Sequence, residues 1–435
     1  MIIQQMNEIV DLHFKKITNE NNYLENLCEA FINFVSILKS KQEMLAKMQA
    51  KESGKPVKYC RVEVERCVDQ LNQAIAYIRY KCSFSSPSSI RNTKHLPVGI
   101  VLAITTFSSP YSSFFHKIIP ALIRGNMFVF VPSPKVVICS RTMFNIFEQC
   151  VETFLGGITK RIFCVDTSLV DASDVIDCLE YDYILFTGKS ETASLLKQQI
   201  GYHHGMFETG SSAMAYVDEA IDDIESLARQ LVYAAFAQSG MRCIGLKNLF
   251  IQERISKPLI RQIVYFAERI PVGNPLDPDV VVGPIYDATT LSTLLDDILK
   301  LKESGYQIVT GGYAQNNNLL LPTILLDLSD GVLSTKEMYG PVLCIHVVNN
   351  FESIKCDYYQ RSSLNTAFFS KNLNLINRFV EYCDTCGTIC INCGPDKRDD
   401  TLPFGGLFDE NDGKEDLVTL LKALSIEQRV MFGNI

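Results

Sequence analysis

Apolar positions recur at helical spacing through the first 80 residues of the chain. The stretches LENLCEAFINFVSILKSKQEML and VERCVDQLNQAIAYIRY each predict an amphipathic helix, and ESGKP at 52–56 separates them. Residues 82–96 are rich in Ser, Pro and Asn and predict a connection. From Pro97 onward the pattern changes, so we expect a different architecture there.

After residue 97, short runs that are apolar throughout alternate with amphipathic stretches. Buried parallel strands have such runs, and we assign strands to VGIVLAIT, MFVFV, RIFCV, DYILFTG, AMAYV, KNLFIQ, CIHVV, TAFFS and TICIN. Helical spacing marks SSFFHKIIPALIRG, SRTMFNIFEQCVETF, SETASLLKQQI and DIESLARQLVYAAFAQ. This alternation predicts βαβ units in a doubly wound α/β fold.

Composition places the chain among ordinary globular proteins. It has 435 residues, of which 47% are apolar and 21% charged, enough for two or three domains. The net charge of −8 argues against a general attraction to nucleic acid. The N-terminus lacks the pattern of a secretory signal, and no apolar run is long enough to span a membrane. We therefore expect a cytoplasmic protein.

Fifteen cysteines are a high count, and four of them fall in CDTCGTICINC at 383–393. The two C-x-x-C pairs suggest a zinc site. However, LINRFVEYC predicts a helix that ends near Gly387, and TICIN predicts a strand. Cys383 and Cys386 would then share a helix face, and Cys390 and Cys393 would point to opposite faces of the strand. We favour reduced cysteines packed as small apolar side chains, with no metal.

A different cysteine suggests chemistry. Cys243, in AQSGMRCIGLKNLFIQ, lies between a predicted helix and a predicted strand, and Glu208 precedes it in MFETGSS. A thiolate can attack a carbonyl carbon while a carboxylate accepts a proton from the thiol or from water. The pairing suggests covalent catalysis on a carbonyl.

The ordered motifs of the chain resemble those of the aldehyde dehydrogenase superfamily over nearly its whole length. The matching segments are ESGKP, PVGIVLAITTFSSP, HKIIPALIRGNMFVFVPSP, ILFTGKSE, FETGSS, SGMRC, VGNPLDPDVVVGPI, KEMYGPV and LPFGG. The resemblance implies two doubly wound parallel-sheet domains, one Rossmann-like for the cofactor and one catalytic. It implies a dinucleotide-binding domain at 1–81 and 97–208 and a catalytic domain at 209–418. Residues 82–96 and 419–435 would form shortened oligomerisation segments, compatible with a homodimer.

The resemblance also implies residue roles. Cys243 matches the nucleophile, Glu208 the general base, and Ser108 the position of the oxyanion-binding Asn. NAD or NADP is the implied cofactor and an aldehyde the implied substrate. The matching cofactor positions are Thr105, Val131, Ser133, Phe186, Thr187, Gly188, Lys189, Thr209, Gly210, Glu337 and Tyr339.

Several positions depart from the family pattern. Ser108 is shorter than Asn but still a hydrogen-bond donor. Val131 replaces a Lys that contacts the adenosine ribose. Lys135 and Lys189 lie nearby, although we favour solvated lysines at both positions. Met241 replaces the Gln before the nucleophile, and the late S-G-x-G-R-E motif appears as ENDGKE, which keeps Gly413 and Glu415.

Within the superfamily, GMRCIGLKN and RDDTLPFGG resemble the lactaldehyde and non-phosphorylating glyceraldehyde-3-phosphate branch. Arg242, Lys247, Arg398 and Asp400 carry this match. It implies oxidation of a small polar aldehyde to an acid through a cysteine thiohemiacetal and thioester. Two alternatives stay open. One is a CoA-acylating or reductive relative, against which Glu208 argues. The other is a non-catalytic binding protein that keeps the fold.

Overall fold

The structure is a computed structural model. It describes the residues 22–83, 93–170, 172–200, 204–316, 318–328, 338–354, 363–384, 386–407, 414–429 and 431.

Two long helices open the described chain, as the apolar spacing predicts. They are α1 (Tyr23–Ser53) and α2 (Val57–Ser83). Gly54 ends α1 in a left-handed conformation, and its N–H donates to the carbonyl of Ala50. The two helices pack along each other, and α1 also packs on α4, defined below.

A five-stranded parallel sheet forms the first half of the fold. Its strands are β2 (Ile100–Ile104), β3 (Met127–Val131), β4 (Ile162–Cys164), β5 (Tyr183–Thr187) and β6 (His204–Glu208), in the spatial order β4-β3-β2-β5-β6. The connecting helices are α3 (Pro110–Ile123), α4 (Val137–Leu155), α5 (Ala172–Cys178) and α6 (Ser190–Ile200). The strand order changes direction between β2 and β5. Ligands of such sheets bind beyond the carboxyl ends of the strands at this point.

A seven-stranded sheet forms the second half, in the order β15-β14-β7-β8-β13-β12-β9. All pairs are parallel except β12 with β9. Its strands are β7 (Met214–Val217), β8 (Asn248–Gln252), β9 (Tyr306–Thr310), β12 (Thr323–Asp327), β13 (Val342–Val348), β14 (Ser363–Phe369) and β15 (Cys386–Ile391). Its helices are α7 (Ile224–Phe236), α8 (Glu253–Ala267), α9 (Ala288–Glu303) and α10 (Leu373–Tyr382). A short hairpin joins β10 (Ala314–Gln315) to β11 (Leu319–Leu320).

The last described segment returns to the first half of the fold. Helix α11 (Leu417–Ala423) packs on α3, and β16 (Ser425–Arg429) pairs antiparallel with β1 (Thr93–Pro97). Residues 93–96 were predicted as part of a connection, so β1 is a strand that the sequence pattern missed. It forms because β16, more than 300 residues away, supplies its hydrogen bonds.

The predicted α/β class and the predicted strands are confirmed, and each strand lies within a few residues of its predicted bounds. Separate apolar cores lie on the two faces of each sheet. Among the helices that the structure describes, none is both long enough and apolar enough to cross a membrane. The predicted division between residues 208 and 209 falls in the segment that joins β6 to β7.

Candidate active site

A cavity of about 1800 Å³ lies between the two sheets. The carboxyl ends of β2, β3, β5 and β6 reach it from the first sheet, and the beginnings of β7 and β14 reach it from the second. The predicted site residues that line it are Thr105, Ser108, Val131, Ser133, Phe186, Thr187, Gly188, Lys189, Glu208, Thr209, Gly210, Cys243 and Tyr339. Glu337 lies outside the described residues.

The backbone before Cys243 takes an unusual path. Gln238, Ser239 and Gly240 have φ angles of 57°, 59° and 64°, all in the left-handed region. Two of the three carry side chains, so this turn stores conformational energy of the kind that clusters at functional sites. Ser239 is held in place because its hydroxyl donates to the carbonyl of Gly283 and accepts from the Gly283 N–H, at 3.2 and 2.9 Å.

Lys247 holds the same turn in place. Its buried ammonium donates to the carbonyl oxygens of Gly240 at 2.5 Å and Gly340 at 2.9 Å. The two backbones approach so closely that a side-chain carbon on Gly240 would overlap the Gly340 carbonyl. The sequence singled out Lys247 as a branch marker, and its contacts show that it shapes the turn leading to Cys243.

Glu208 ends β6, is buried, and hydrogen-bonds Glu415. Burial and the neighbouring Glu415 carboxylate raise the pKa of Glu208 to about 8. Burial opposes the ionisation of Glu415 as well. The Lys117 ammonium at 2.9 Å and His116 nevertheless hold the pKa of Glu415 well below its usual range. The negative charge of the pair therefore lies on Glu415, and the shared proton on Glu208.

Ser108 lies in the loop between β2 and α3. Its hydroxyl is 3.3 Å from the Thr106 hydroxyl, and its carbonyl accepts from the Lys55 ammonium at 3.0 Å. Lys55 also pairs with Glu63 at 2.6 Å, and both side chains are less than 10% exposed. Glu63 in turn accepts from the backbone N–H of Tyr111, in the first turn of α3, at 2.9 Å. This buried pair anchors the Ser108 loop where it enters α3.

The dinucleotide positions form one wall of the cavity, and their chemistry fits such a ligand. The Thr105 hydroxyl is buried and has no hydrogen-bond partner among the described residues. Gly188 and Lys189 lead directly into the N-terminus of α6, where backbone N–H groups favour a pyrophosphate. An unsatisfied hydroxyl and a helix N-terminus in one cavity are what a dinucleotide would use.

The two lysines near Val131 differ from each other. Lys189 is exposed, as expected for a solvated lysine. Lys135 keeps 28% of its side chain exposed, but its ammonium is 2.9 Å from Asp287 and lies over the rings of Phe107 and Tyr286, at 5.0 and 4.6 Å from their centroids. The interpretation of Lys135 as a solvated lysine is therefore incomplete. It lines the cavity with its charge already paired to the helix cap of α9.

The opposite end of the cavity is cationic. Arg66 makes two 2.8 Å bonds to Asp400, and the Nε of Arg398 makes a third, at 2.6 Å. One further nitrogen of Arg398, Nη2, is buried without a hydrogen-bond partner in the described structure. Arg398 lies close enough to Cys243 and Glu208 for both to act on its pKa. Motif matching found Arg398 and Asp400, but Arg66 carries no motif and was missed.

The cysteine-rich segment differs from its predicted arrangement. Helix α10 ends at Tyr382 and Cys386 begins β15, so Cys383 and Cys386 do not share a helix face. Their sulfur atoms are nonetheless 3.4 Å apart. Cys390 and Cys393 do not point to opposite faces either. The strand ends at Ile391, Asn392 adopts φ 55°, and the two thiols hydrogen-bond each other.

Within the described residues, no group of three or more His, Cys, Asp or Glu side chains is arranged to hold a metal ion. The absence of a metal therefore stays a prediction. The late motif's Gly413 lies outside the described residues.

Comparison with known proteins adds to the geometry. The family model described as "Aldehyde dehydrogenase family" matches residues 23–424. A lactaldehyde dehydrogenase from Methanocaldococcus jannaschii is 29% identical over 411 residues, covering 94% of this chain and 87% of the relative. A 3-sulfolactaldehyde dehydrogenase from Priestia aryabhattai is 24% identical over 425 residues, covering 94% and 86%. The crystal structure of a glyceraldehyde-3-phosphate dehydrogenase from M. jannaschii, complexed with NADP, matches with a TM-score of 0.88 at 26% identity, covering 99% of this chain and 93% of that one.

Proposed function

Because this chain belongs to the aldehyde dehydrogenase family and is an NAD(P)-dependent oxidoreductase, we propose that it oxidises a small, negatively charged aldehyde to the acid through Cys243. The branch resemblance read from the motifs is confirmed by the lactaldehyde and glyceraldehyde-3-phosphate relatives. The observation that carries the proposal is a single cavity that holds Cys243, Glu208 and the unpartnered nitrogen of Arg398.

Cys243 supplies the nucleophile. Its thiolate adds to the aldehyde carbon and forms a thiohemiacetal, and the carbonyl oxygen becomes an oxyanion. The backbone N–H of Cys243 and the hydroxyl of Ser108 are the donors proposed for that oxygen. One such donor contributes about 3 to 4 kcal/mol to the transition state in other enzymes. Lys55 and Glu63 contribute by holding the Ser108 loop still.

Glu208 supplies the base that releases the acid. It accepts a proton from the water that attacks the acyl group on Cys243, and the thiolate then leaves. Since the pKa of Glu208 is about 8, the base form is available at mildly alkaline pH. A carboxylate in the same cavity as Cys243 argues against a CoA-acylating enzyme, in which a thiol rather than water would take the acyl group.

NAD or NADP, when bound, supplies the hydride acceptor. Thr105, Gly188 and the N-terminus of α6 would hold it, with Val131, Ser133, Phe186, Thr187, Lys189, Thr209, Gly210, Glu337 and Tyr339 around it. NADP in the M. jannaschii structure supports this assignment.

The charge of the substrate follows from the arginine end of the cavity. Asp400 neutralises only part of the combined charge of Arg66 and Arg398, and Arg398 keeps a donor without a partner. A phosphate, sulfonate or carboxylate on the aldehyde would satisfy that donor. The relatives named for 3-sulfolactaldehyde and glyceraldehyde-3-phosphate support an anionic substrate.

The test is turnover with matched aldehydes and both cofactors. We expect wild-type protein to prefer glyceraldehyde-3-phosphate or 3-sulfolactaldehyde over uncharged lactaldehyde in kcat/KM. Arg398→Met should remove most of that preference, measured as the ratio of the two kcat/KM values. The ratio is the readout because Arg398 also lowers the pKa of Glu208, so its loss affects the activity on both substrates. Cys243→Ala should abolish turnover without altering the unfolding midpoint, whereas Glu208→Gln should give one burst of NAD(P)H per enzyme and then slow turnover.

The proposal has clear failing outcomes. An equal preference in wild type and Arg398→Met would refute the anionic subsite. Full activity in Cys243→Ala would refute the nucleophile, with peptide mass then locating the acyl group. No turnover with any aldehyde or cofactor, despite cofactor binding, would support the non-catalytic alternative instead.

Two coarser proposals accompany this function. The thirteen described cysteines that form no disulfide support a cytoplasmic enzyme. The β1–β16 ribbon, at the position of the oligomerisation segments, supports a homodimer, which size measurement in solution would test.

A further inference from the structure

Two thiols outside the catalytic machinery lie in near contact. Cys383 follows the last residue of α10, and Cys386 opens β15. Their sulfur atoms are 3.4 Å apart, and neither belongs to a disulfide. A disulfide bond is about 2.05 Å long, so the two atoms need to approach by only about 1.4 Å. Both residues lie at the ends of regular elements, where such a movement is least costly.

The two thiols have different environments. Cys383 is 6% exposed, whereas Cys386 is partly exposed. A hydrogen bond from Cys383, a second from Thr366 and the charge of Lys414 lower the pKa of the Cys386 thiol. The thiolate is the reactive form of cysteine, and electropositive, partly exposed sites are where it reacts. Cys386 is therefore suited to be attacked first, with Cys383 placed to resolve the product.

The dithiol is connected to the catalytic carboxylates by direct packing. Next to Cys386, the backbone of Gly387 lies so close to Gly405 that a side-chain carbon on Gly387 would overlap the Gly405 carbonyl. That same carbonyl accepts from the ammonium of Lys414 at 2.5 Å. Lys414 immediately precedes Glu415, whose backbone N–H donates to the Phe404 carbonyl at 2.6 Å. A shift of the start of β15 is thus transmitted to the backbone that positions Glu415.

We propose that Cys383 and Cys386 form an oxidisable dithiol that closes to a disulfide under hydroperoxide and moves the pH dependence of the enzyme to lower pH by displacing Glu415 from Glu208. The Cys386 thiolate attacks the peroxide oxygen, the O–O bond breaks, and a sulfenic acid forms on Cys386 with loss of water or alcohol. The Cys383 thiol then attacks that sulfur and expels a second water. Two thiols lose two electrons and two protons, and the hydroperoxide accepts them.

The catalytic consequence rests on the proposed roles of Glu208 and Glu415, whereas the chemistry of the pair does not. When Glu415 moves away, Glu208 loses the neighbouring negative charge that raises its pKa, and its base form becomes available at lower pH. A thiol pair of this kind suits a reducing compartment, where disulfides are transient and act as sensors. The oxidised form should therefore be reversible by a dithiol reductant.

The first experiment tests the chemistry alone. Trypsin leaves Cys383, Cys386, Cys390 and Cys393 in one peptide, FVEYCDTCGTICINCGPDK. A Cys243→Ser, Cys390→Ser, Cys393→Ser protein leaves only the proposed pair there. After hydrogen peroxide, unreacted thiols are blocked with iodoacetamide, then the protein is reduced and labelled with N-ethylmaleimide. We expect two maleimide labels on this peptide after oxidation and none without it.

The second experiment tests the effect on catalysis, with peroxide damage to Cys243 measured separately. Turnover is divided by the fraction of Cys243 that still reacts with iodoacetamide, determined by peptide mass. We expect the inflection of kcat per intact Cys243 to move to lower pH in oxidised wild type, as in Glu415→Gln, and to return to near pH 8 with dithiothreitol. Cys386→Ser should show no such shift after peroxide. Cys178→Ser, which removes an exposed cysteine elsewhere, should behave like wild type.

Each negative result has one meaning. Iodoacetamide on both cysteines after peroxide would overturn the oxidisable pair, as would about one metal ion per chain released by the oxidation. A disulfide that forms while the pH inflection of kcat per intact Cys243 stays in place would overturn the link to Glu415. Failure of the proposed function would show instead as no turnover in the reduced wild type, where the disulfide experiment can still succeed.

Discussion

Glu208 and Glu415 are buried in hydrogen-bond contact, and the charge of Lys117 decides which of the two carries the proton. Two carboxyls in hydrogen-bond contact titrate as a pair. Lys117, at 2.9 Å from Glu415, stabilises the negative charge there. The proton therefore stays on Glu208 until the pH approaches 8, and this ordering sets the working range of the proposed base.

The rate of acid release should rise with pH. Below its pKa of about 8, Glu208 is protonated and cannot accept a proton from water, so steady-state turnover should increase through an inflection near pH 8. Glu415→Gln removes the neighbouring negative charge and should move the inflection to lower pH. Profiles of kcat against pH for both proteins measure this, and Glu208→Gln should show no such inflection. An unmoved or higher inflection in Glu415→Gln would contradict the pairing.

The buried pair of Lys55 and Glu63 should affect stability and catalysis together. Lys55→Met leaves a buried carboxylate without its ammonium and should cost about 3 to 5 kcal/mol in the free energy of unfolding by urea. The double variant with Glu63→Gln should be more stable than Lys55→Met alone, because no bare charge is buried. In both variants kcat should fall while the dissociation constant for NADP stays the same. An unchanged kcat would limit the pair to a structural role.

Val131 is the departure from the family pattern that affects binding of the cofactor. It is 1% exposed at the end of β3 and lines the cavity. Val131→Lys should tighten dinucleotide binding by roughly 1.5 to 3 kcal/mol through a charge-assisted hydrogen bond, which is about 10- to 100-fold in the dissociation constant. Val131→Met, similar in length but uncharged, is the matched control. If the lysine variant binds no more tightly than the methionine variant, another group already fills this role.

The left-handed turn before Cys243 predicts a large effect at Gly240. An alanine there meets the unfavourable φ of 64° and also the carbonyl of Gly340. Gly157→Ala has a comparable φ of 76°, yet nothing lies within 4 Å of the added carbon. The control should cost about 1 to 2 kcal/mol for conformation alone, and Gly240→Ala should cost more and lower kcat. Equal losses in thermal stability would mean that the turn can relax.

The sequence predicted the elements better than the relations between distant ones. Strands such as MFVFV are apolar throughout because they are buried on both faces, and this composition is visible locally. Strand β1 is polar, and nothing in its own residues shows that residues 425–429 will pair with it. Motif order led to Cys243, Glu208 and the proposed cofactor positions, which the structure brings to one cavity apart from Glu337, outside the described residues.

The residues that support the site were harder to predict for the same reason. Arg66 pairs with Asp400, 334 residues away, and Lys55 contacts both Glu63, 8 residues away, and the Ser108 carbonyl, 53 residues away. Helical spacing predicts only that Arg66 lies on α2 and Lys55 beside it. The cysteine pairs were misassigned because one helix ends four residues earlier than the glycine suggested, and because Asn392 adopts a left-handed conformation that an extended strand would not.

The return of the chain's last described segment limits how this protein can be divided. Arg124 donates to the carbonyl of Leu421, and Asn126 to that of Leu424, so α11 completes the packing around α3. A protein cut between the two sheets would leave the first half without these contacts and without the partner of β1. Neither fragment would be a self-sufficient module. For residues 93–208 to make these contacts within one chain, the C-terminal strand must lie on the same polypeptide. A circular permutant with new ends between β6 and β7 would supply this arrangement.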